Sequence, residues 1–248
     1  MLEVEQAYSC LECPLQNCSG LRQLTPARRA AIQQFKLGEV IVPANEDVLR
    51  QGEFSTNLFT VLDGVLIRYR RLEDNRRQIV NFMFPGDLIG LQGSFDEPNT
   101  HSVEALLPSR LCKFERNAFH DIVTEQPQLS YDLIWVAAKE ETALEEHLVA
   151  VGQRSSKERV TYLAVWLLDR AIATGMVDER NELRLPIRQG QIADMLGMSL
   201  VHTNRTLRAL ERDQMVEWSP GHIRIPDLDK AYDFAHFERS PAKPRPYI

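Results

Sequence analysis

From Gly38 to about Phe119 the chain alternates short apolar runs with turn residues: Glu39–Val42, Leu58–Leu62, Val65–Tyr69, Gln78–Phe84, Val103–Leu107 and Leu111–Phe114. Many short runs at regular spacing predict the strands of a sandwich or jelly roll. Asp63-Gly64 lies between two runs and reads as a hairpin turn. Residues 1–20, with three cysteines, Pro14, Asn17, Ser19 and Gly20, read as an irregular loop. Thr25-Pro26 opens a short helix through Arg28, Ile32 and Phe35. The texture changes at about Glu125. Residues 129–151 contain no Gly or Pro, and Leu129, Leu133, Val136, Glu140, Leu144, Leu148 and Val151 recur at spacings of three or four. A helix of that length reaches roughly 35 Å, more than a small domain needs for its own packing. It could lie across the sheet, but the break expected at Gly152 favours an intermolecular seam along that stripe. Ser155 and Ser156 then cap a helix to about Ala173, apolar at Val160, Leu163, Ala164, Leu167 and Leu168. A polar loop (Thr174–Asn181) and a short strand (Leu183–Pro186) follow.

Residues 188–212 read RQGQIADMLGMSLVHTNRTLRALER. Gln189–Leu196 forms a short amphipathic helix, Gly197 supplies a sharp turn, and Ser199 caps a second helix. Two short helices joined by a Gly-containing turn are the helix-turn-helix pattern. The second helix of such a pair presents its N-terminal residues to base edges in the major groove. Arg188, Gln189, Ser199, Val201, His202, Asn204, Arg205 and Arg208 are the candidate DNA-contacting residues. Arg205 and Arg208 sit one turn apart, and Arg reaches guanine O6 and N7 or phosphate. MVEWSPGHIRI then supplies two alternating strands around Ser219-Pro220-Gly221, a wing. An ordinary αα-hairpin would need neither cap nor wing, and their coincidence favours double-stranded DNA.

The chain has 248 residues, 44% hydrophobic and 26% charged, with net charge −6. This is globular composition, and no run of about 18 apolar residues suggests a membrane span. The acidic N-terminus lacks the basic and apolar regions of a secretory signal, so a cytoplasmic protein is expected. Residues 1–153 carry 14 Lys and Arg against 22 Asp and Glu, whereas residues 154–248 carry 15 against 13. The excess of positive charge thus falls in the half with the helix-turn-helix, where a polyanion would bind. The tail, SPAKPRPYI, is proline-rich and is expected to be disordered.

Cys10, Cys13 and Cys18 form C-x2-C-x4-C, and Cys112 stands apart in RLCKFE. Three local thiols and one distant one suit a tetrahedral zinc ion or a [4Fe–4S] cluster. In the plainer reading Cys112 is a core residue beside Phe114 and the others are incidental. A jelly roll can also be a metal-dependent enzyme, which would need clustered histidines and carboxylates. The six histidines (101, 120, 147, 202, 222 and 236) are not paired at close spacing, and no phosphate-binding or nucleophile-elbow motif is present, so no enzyme is expected.

Residues 188–228, and the order jelly roll, long helix, winged helix over about residues 10–230, resemble the cyclic-AMP receptor/fumarate–nitrate-reductase regulator (CRP/FNR) superfamily. The resemblance implies an α+β fold. Its parts are a cysteine-bearing loop (1–24), a cyclic-nucleotide-binding-like jelly roll (25–124), a dimerisation helix (125–152), a winged helix-turn-helix (153–230) and a tail (231–248). It further implies a homodimer on a two-fold symmetric DNA site and a contact with RNA polymerase, with Leu133, Val136, Glu140, Leu144, Leu148 and Val151 at the dimer interface. Val201 stands where well-known branches carry a Glu that reads cytosine, and could instead touch a thymine methyl. PGDLIGL (Pro85–Leu91) matches the core of the nucleotide cassette, but His101 replaces the phosphate-binding Arg beside Ser102, and Asp87 replaces the ribose-binding Glu. A neutral His is a poor substitute for a guanidinium fork, so cyclic AMP is not expected, and Gly86 and Gly90 read as structural. Cys112 falls where the oxygen-sensing FNR branch places its fourth cluster ligand, which implies a [4Fe–4S] cluster on Cys10, Cys13, Cys18 and Cys112. Enterobacterial members of that branch have five residues between the second and third cysteines, against four here. A cluster-free regulator governed by another small ligand, haem or a partner protein is the alternative.

Overall fold

The computed structural model describes residues 1–4, 6–91, 97–177, 182–238 and 243–248, and the chain divides into two compact units: residues 1–140 with 243–248, and residues 141–242. The elements of the first unit are β1 (Leu2–Glu3), α1 (Pro26–Phe35), β2 (Lys36–Val42), β3 (Asp47–Leu49), β4 (Asn57–Asp63), β5 (Leu66–Arg71), β6 (Arg77–Met83), β7 (Leu88–Ile89), β8 (Ser102–Ala105), β9 (Ser109–Glu115) and α2 (Ala118–Glu125). They are followed by the long α3 (Pro127–Gln153), which runs from this unit into the next.

The strands form two antiparallel sheets, in the orders β1-β2-β9-β4-β7 and β3-β8-β5-β6. Val42, Phe59, Val61, Leu66, Val103 and Leu111 meet between them. The five-stranded sheet is covered on both faces, which is why β4 and β9 read as nearly continuous apolar runs. On β9, Leu111 points into the sandwich, while Cys112 and Phe114 point to a second core shared with Leu15, Leu21, Ile32, Leu129 and Leu133. Asp63-Gly64 is not a hairpin turn. β4 pairs with β7 and β9, and β5 with β6 and β8, so the turn carries the chain from one sheet to the other. Gly64 has φ +91°, and a Cβ there would lie 2.3 Å from Ser109 Oγ and 2.8 Å from the Pro108 carbonyl oxygen.

The long helix is apolar on more than one side, and the chain's own core takes part of the expected seam. Leu129, Leu133 and Val136 are buried in the chain's own first unit, and Glu140 accepts from Asn81 Nδ2 at 3.0 Å. Leu144 and Val151 are half-buried, which leaves Leu148 (73% exposed) as the one expected seam residue fully on the surface. The exposed apolar side chains of the first two turns are Tyr131 (64%) and Ile134 (68%). With Ala138, Glu141, Glu145 and Leu148 they form a stripe of alternating three- and four-residue spacing. Periodicity identified a helix with apolar faces but could not say which face the chain's own sheet would take. The helix also passes through Gly152 to Gln153 instead of breaking there.

In the second unit α4 (Ser156–Ala173) is the central element. Residues 160–168 are all buried, as expected of a helix apolar all round. Ser155 Oγ accepts from the Glu158 N–H, and the Glu158 carboxylate accepts from the Ser155 N–H at 2.6 Å, a capping box. β10 (Glu182–Leu183), α5 (Gln189–Leu196), α6 (Leu200–Arg212), β11 (Glu217–Ser219), β12 (His222–Arg224) and α7 (Leu228–Phe234) complete it, with the strands in the order β10-β12-β11. The last four residues of the expected loop at 174–181 lie outside the described residues, as do residues 239–242 of the tail.

The expected disorder of the tail is corrected on both sides of that gap. Ala231 and Tyr232 are buried in α7, and Lys243–Ile248 packs into the first unit, with Tyr247 only 3% exposed. Composition registered three prolines as a lack of structure, whereas one arginine and one tyrosine find buried partners.

Candidate nucleic-acid interface and cysteine site

Gly197 ends α5 in the left-handed conformation, φ +63°. A Cβ at this position would meet only Val151 Cγ1 within 4 Å, so backbone conformation and not space requires glycine here. The turn delivers Ser199 as the cap of α6, its Oγ accepting from the His202 N–H at 3.2 Å. Thr203, Thr206, Leu207 and Leu210 face inward. The opposite face presents Ser199, Val201, Arg205, Arg208 and Arg212 to solvent, with Val201 81% exposed. A row of guanidinium groups beside an exposed branched apolar side chain can bind phosphates and read a thymine methyl. Arg188 is exposed just before α5, and its N–H donates to Gln191 Oε1 at 2.8 Å.

Four of the expected contact residues also do structural work. Asn204 Nδ2 donates to Gln189 Oε1 at 3.0 Å, which locks the two helices of the motif together. Arg205 Nη2 donates to His202 Nδ1 at 3.0 Å, and the other ring nitrogen of His202 meets Ser156 Oγ at the start of α4. His202 is therefore half-buried and aims Arg205. Ser156 was not visible as a site residue in the sequence, because nothing local marks a helix cap as a partner for a histidine 46 positions away. The wing turns at Gly221 (φ +80°), and Arg224 Nη1 reaches both carboxylate oxygens of Glu217 at 3.0 Å.

In the first unit the four cysteines converge on one core. Cys10 opens a short 3-10 turn (Cys10–Glu12) capped by Ser9, and its N–H donates to Gln33 Oε1 of α1 at 2.9 Å. Cys13 separates that turn from a second (Pro14–Asn17), and the Cys18 N–H closes the second on the Leu15 carbonyl. Cys112 lies on β9, opposite Glu39 of β2 and Thr60 of β4. Cys10, Cys13 and Cys112 line one cavity of about 20 Å3 with Tyr8, Ile32 and Tyr247, and Cys18 packs against the same core. Burial pushes all four thiols up, Cys13 to about 11, with the neighbouring Cys10 adding to the effect at Cys13 and Cys112. None is in a disulfide. Among the described residues no group of three or more His, Cys, Asp or Glu converges as a single bound metal ion would require.

The cassette-like turn is built into the chain's own packing. Gly86 has φ +88°, and a Cβ there would touch Leu21 Cδ2 at 2.9 Å; Gly90 has φ +94°. Asp87 accepts from the Phe84 N–H at 2.9 Å and pairs with Arg245 at 3.0 Å. His101 is buried, and burial together with Arg68 and Arg70 pushes its pKa down to about 4, so the ring is neutral at pH 7. Arg245, like Ser156, was not legible in the sequence, since it sits in a tail with no periodic signal.

Residues 39–126 match the cyclic nucleotide-binding domain family, and residues 162–230 match the Crp-like helix-turn-helix domain family. The nitrogen fixation regulation protein FixK of Bradyrhizobium diazoefficiens is 29% identical over 222 residues, covering 89% of this chain and 91% of the relative. The transcriptional activator protein FnrL of Cereibacter sphaeroides is 23% identical over 231 residues, covering 92% of each. The structure of FixK2 from Bradyrhizobium japonicum superposes with a TM-score of 0.68 at 22% identity, over 79% of this chain and 96% of that one, a likeness of fold. These relatives are transcription regulators and not enzymes. With both domains matched and the jelly roll, long helix and winged helix in the same order, the chain belongs to the CRP/FNR family of DNA-binding transcription regulators.

Proposed function

We propose that the protein is a homodimeric transcription activator whose hold on DNA is governed by its four cysteines, which carry a [4Fe–4S] cluster and so respond to oxygen or redox state. The observation that carries this reading is the meeting of Cys10, Cys13 and Cys112 at one cavity, with Cys18 in the same core, although they come from a short loop and a strand about 100 residues apart. Four thiols match the ligand set of such a cluster, which takes one cysteine per iron and does not need them to converge on a single atom. The transcriptional activator protein FnrL supports activation, by analogy. When bound, the cluster supplies an oxygen-labile iron–sulfur group. The chain's part is to hold the loop on α1 through the Cys10–Gln33 bond, to keep the thiols away from bulk water and to place them beside α3 through the core that Leu129 and Leu133 share. The 20 Å3 cavity holds about one water, so metal loading requires the loop to move outward.

Two copies meet along Tyr131, Ile134, Ala138, Glu141, Glu145 and Leu148. Glu141 and Glu145 on that stripe oppose their counterparts across the seam and keep it marginal, as an interface that must respond to a signal requires. Each copy then offers one α6 to a half-site, the two about one helical turn apart, with Arg205 and Arg208 on bases or phosphates and Val201 on a thymine methyl. Activation implies RNA polymerase as a partner, in the cytoplasm.

The test is anaerobic purification followed by absorption spectroscopy and iron and sulfide analysis. The expected result is a brown protein with about four irons and four sulfides per chain, bleached by air with loss of DNA binding. Serine at any one of the four cysteine positions is expected to abolish the colour. A colourless, iron-free protein that still binds DNA would overturn the cluster and leave the DNA-binding function standing.

A further inference from the structure

The last six residues are held in the first unit by a site assembled from three parts of the chain. On the backbone, the Arg22 N–H donates to the Arg245 carbonyl, and the Arg245 N–H donates to the Gly20 carbonyl, each at 2.8 Å, which makes a parallel bridge between Leu21 and Arg245. On the side chain, Arg245 Nη2 reaches Glu140 Oε1 of α3 at 2.9 Å and Asp87 Oδ1 of the β6–β7 turn at 3.0 Å. Asp87 is 2% exposed, and the Arg245 side chain is 12% exposed. Two residues on, the Tyr247 hydroxyl accepts from Gln16 Nε2 of the cysteine loop, while its ring and Ile248 form part of the wall around Cys10, Cys13 and Cys112.

These contacts have the form of a short peptide recognised by a groove. A guanidinium enters between a buried carboxylate, Asp87, and a half-buried one, Glu140, an aromatic ring enters an apolar pocket, and main-chain hydrogen bonds fix the register between them. Pro244 and Pro246 flank the arginine and restrict the free segment, so less conformational freedom is lost on docking. The match is incomplete, since among the described residues Arg245 Nε is buried without a hydrogen bond, and this lowers the cost of withdrawal.

We propose that Lys243–Ile248 is a built-in ligand of the sensor unit, a latch that joins the cysteine loop, the Asp87 turn and the long helix and that covers the thiol cavity while it is docked. Undocking frees Asp87 and Glu140 from Arg245 and opens Cys10, Cys13 and Cys112 to solutes, whether or not those thiols ever bind iron. A basic, aromatic peptide of the same chemistry supplied in solution competes for, or restores, the same site.

The test uses metal-free protein with reduced thiols. The full chain is compared with a chain ending at Ala242 and with the full-length variant Arg245→Ala, following alkylation of each cysteine by N-ethylmaleimide with mass mapping. Modification of Cys13 and Cys112 is expected to accelerate at least tenfold in both altered chains. The peptide Lys-Pro-Arg-Pro-Tyr-Ile at millimolar concentration is expected to slow it again in the shortened chain, and the same peptide with alanine for arginine is not. Rates within twofold of the unaltered chain would overturn the latch. Acceleration that the peptide fails to reverse would overturn the ligand reading and leave only a terminal packing contact. Cooperative thermal unfolding of each chain is checked first, and if the shortened chain does not fold, the rates for Arg245→Ala and Tyr247→Ala in the full chain decide the matter by the same twofold criterion.

Discussion

Gly64 shows how much one residue constrains when the chain changes sheets. Its φ of +91° and the 2.3 Å approach that a Cβ would make to Ser109 Oγ leave Gly64→Ala no relaxed solution, because the Ser109 and Pro108 backbone stands behind the side chain. The substitution is expected to destabilise the first unit by about 2–4 kcal/mol, read as a lower midpoint in urea unfolding, whereas Gly38→Ala, with open space around it, is expected to change little. His101 acts through its proton. Its folded pKa of about 4 lies below the ordinary 6.5, so the unfolded chain takes up a proton that the folded chain refuses. The stability from the neutral ring is fully present above about pH 6.5 and is lost as the pH falls towards 4, on the order of 3 kcal/mol in all. His101→Gln, neutral throughout, is expected to flatten that part of the stability profile. An unchanged slope between pH 6.5 and 4 would place the acid sensitivity elsewhere.

At the scale of the element, α6 divides its labour by face. The inward threonines and leucines fix its position, and the exposed arginines place positive charge on the opposite face. Arg208→Ala removes one exposed cation and is expected to weaken binding to all duplexes alike, with a shallower salt dependence. Val201→Glu replaces an exposed apolar surface by a hydrogen-bond acceptor. It is expected to shift the preferred half-site at one position from thymine towards cytosine by about 1–3 kcal/mol, measured with a panel of single-substituted duplexes. If Val201→Glu weakened every site equally, Val201 would not be a base-reading residue. The long helix divides its labour in the same way, with Leu129, Leu133 and Val136 spent on the chain's own core and Tyr131, Ile134 and Leu148 left outside.

At the scale of the whole molecule, a regulator that reads a two-fold site depends on having two heads. Ile134→Glu adds a third carboxylate to the exposed stripe and is expected to convert the dimer into a monomer in sedimentation, without lowering the unfolding midpoint, because Ile134 is 68% exposed within the chain. Affinity for a full two-fold site is then expected to fall by about 10²–10⁴ while affinity for a single half-site is unchanged, since only the linkage between the heads is lost. Leu133→Glu would instead insert a charge into the core that holds Cys112 and is expected to unfold the first unit.

The sequence by itself determined the order of parts. Short apolar runs between turn residues marked the strands, caps at Thr25, Ser155 and Ser199 marked where helices begin, and Gly197 marked the turn of the DNA-binding motif, because each of these signals is local and depends on a few neighbouring residues. The identity of the four cysteines was also legible, but their meeting was not, since nothing along the chain says that β9 turns Cys112 towards a loop about 100 residues earlier. Only the tertiary structure decided that the Asp63-Gly64 turn joins the two sheets, which side of α3 stays exposed, that His202 aims Arg205, and that Arg245 finds Asp87 and Glu140. Each of those outcomes is a competition between surfaces for burial or between charges for partners. Such a competition is settled by what lies opposite in space, which spacing along the chain does not encode.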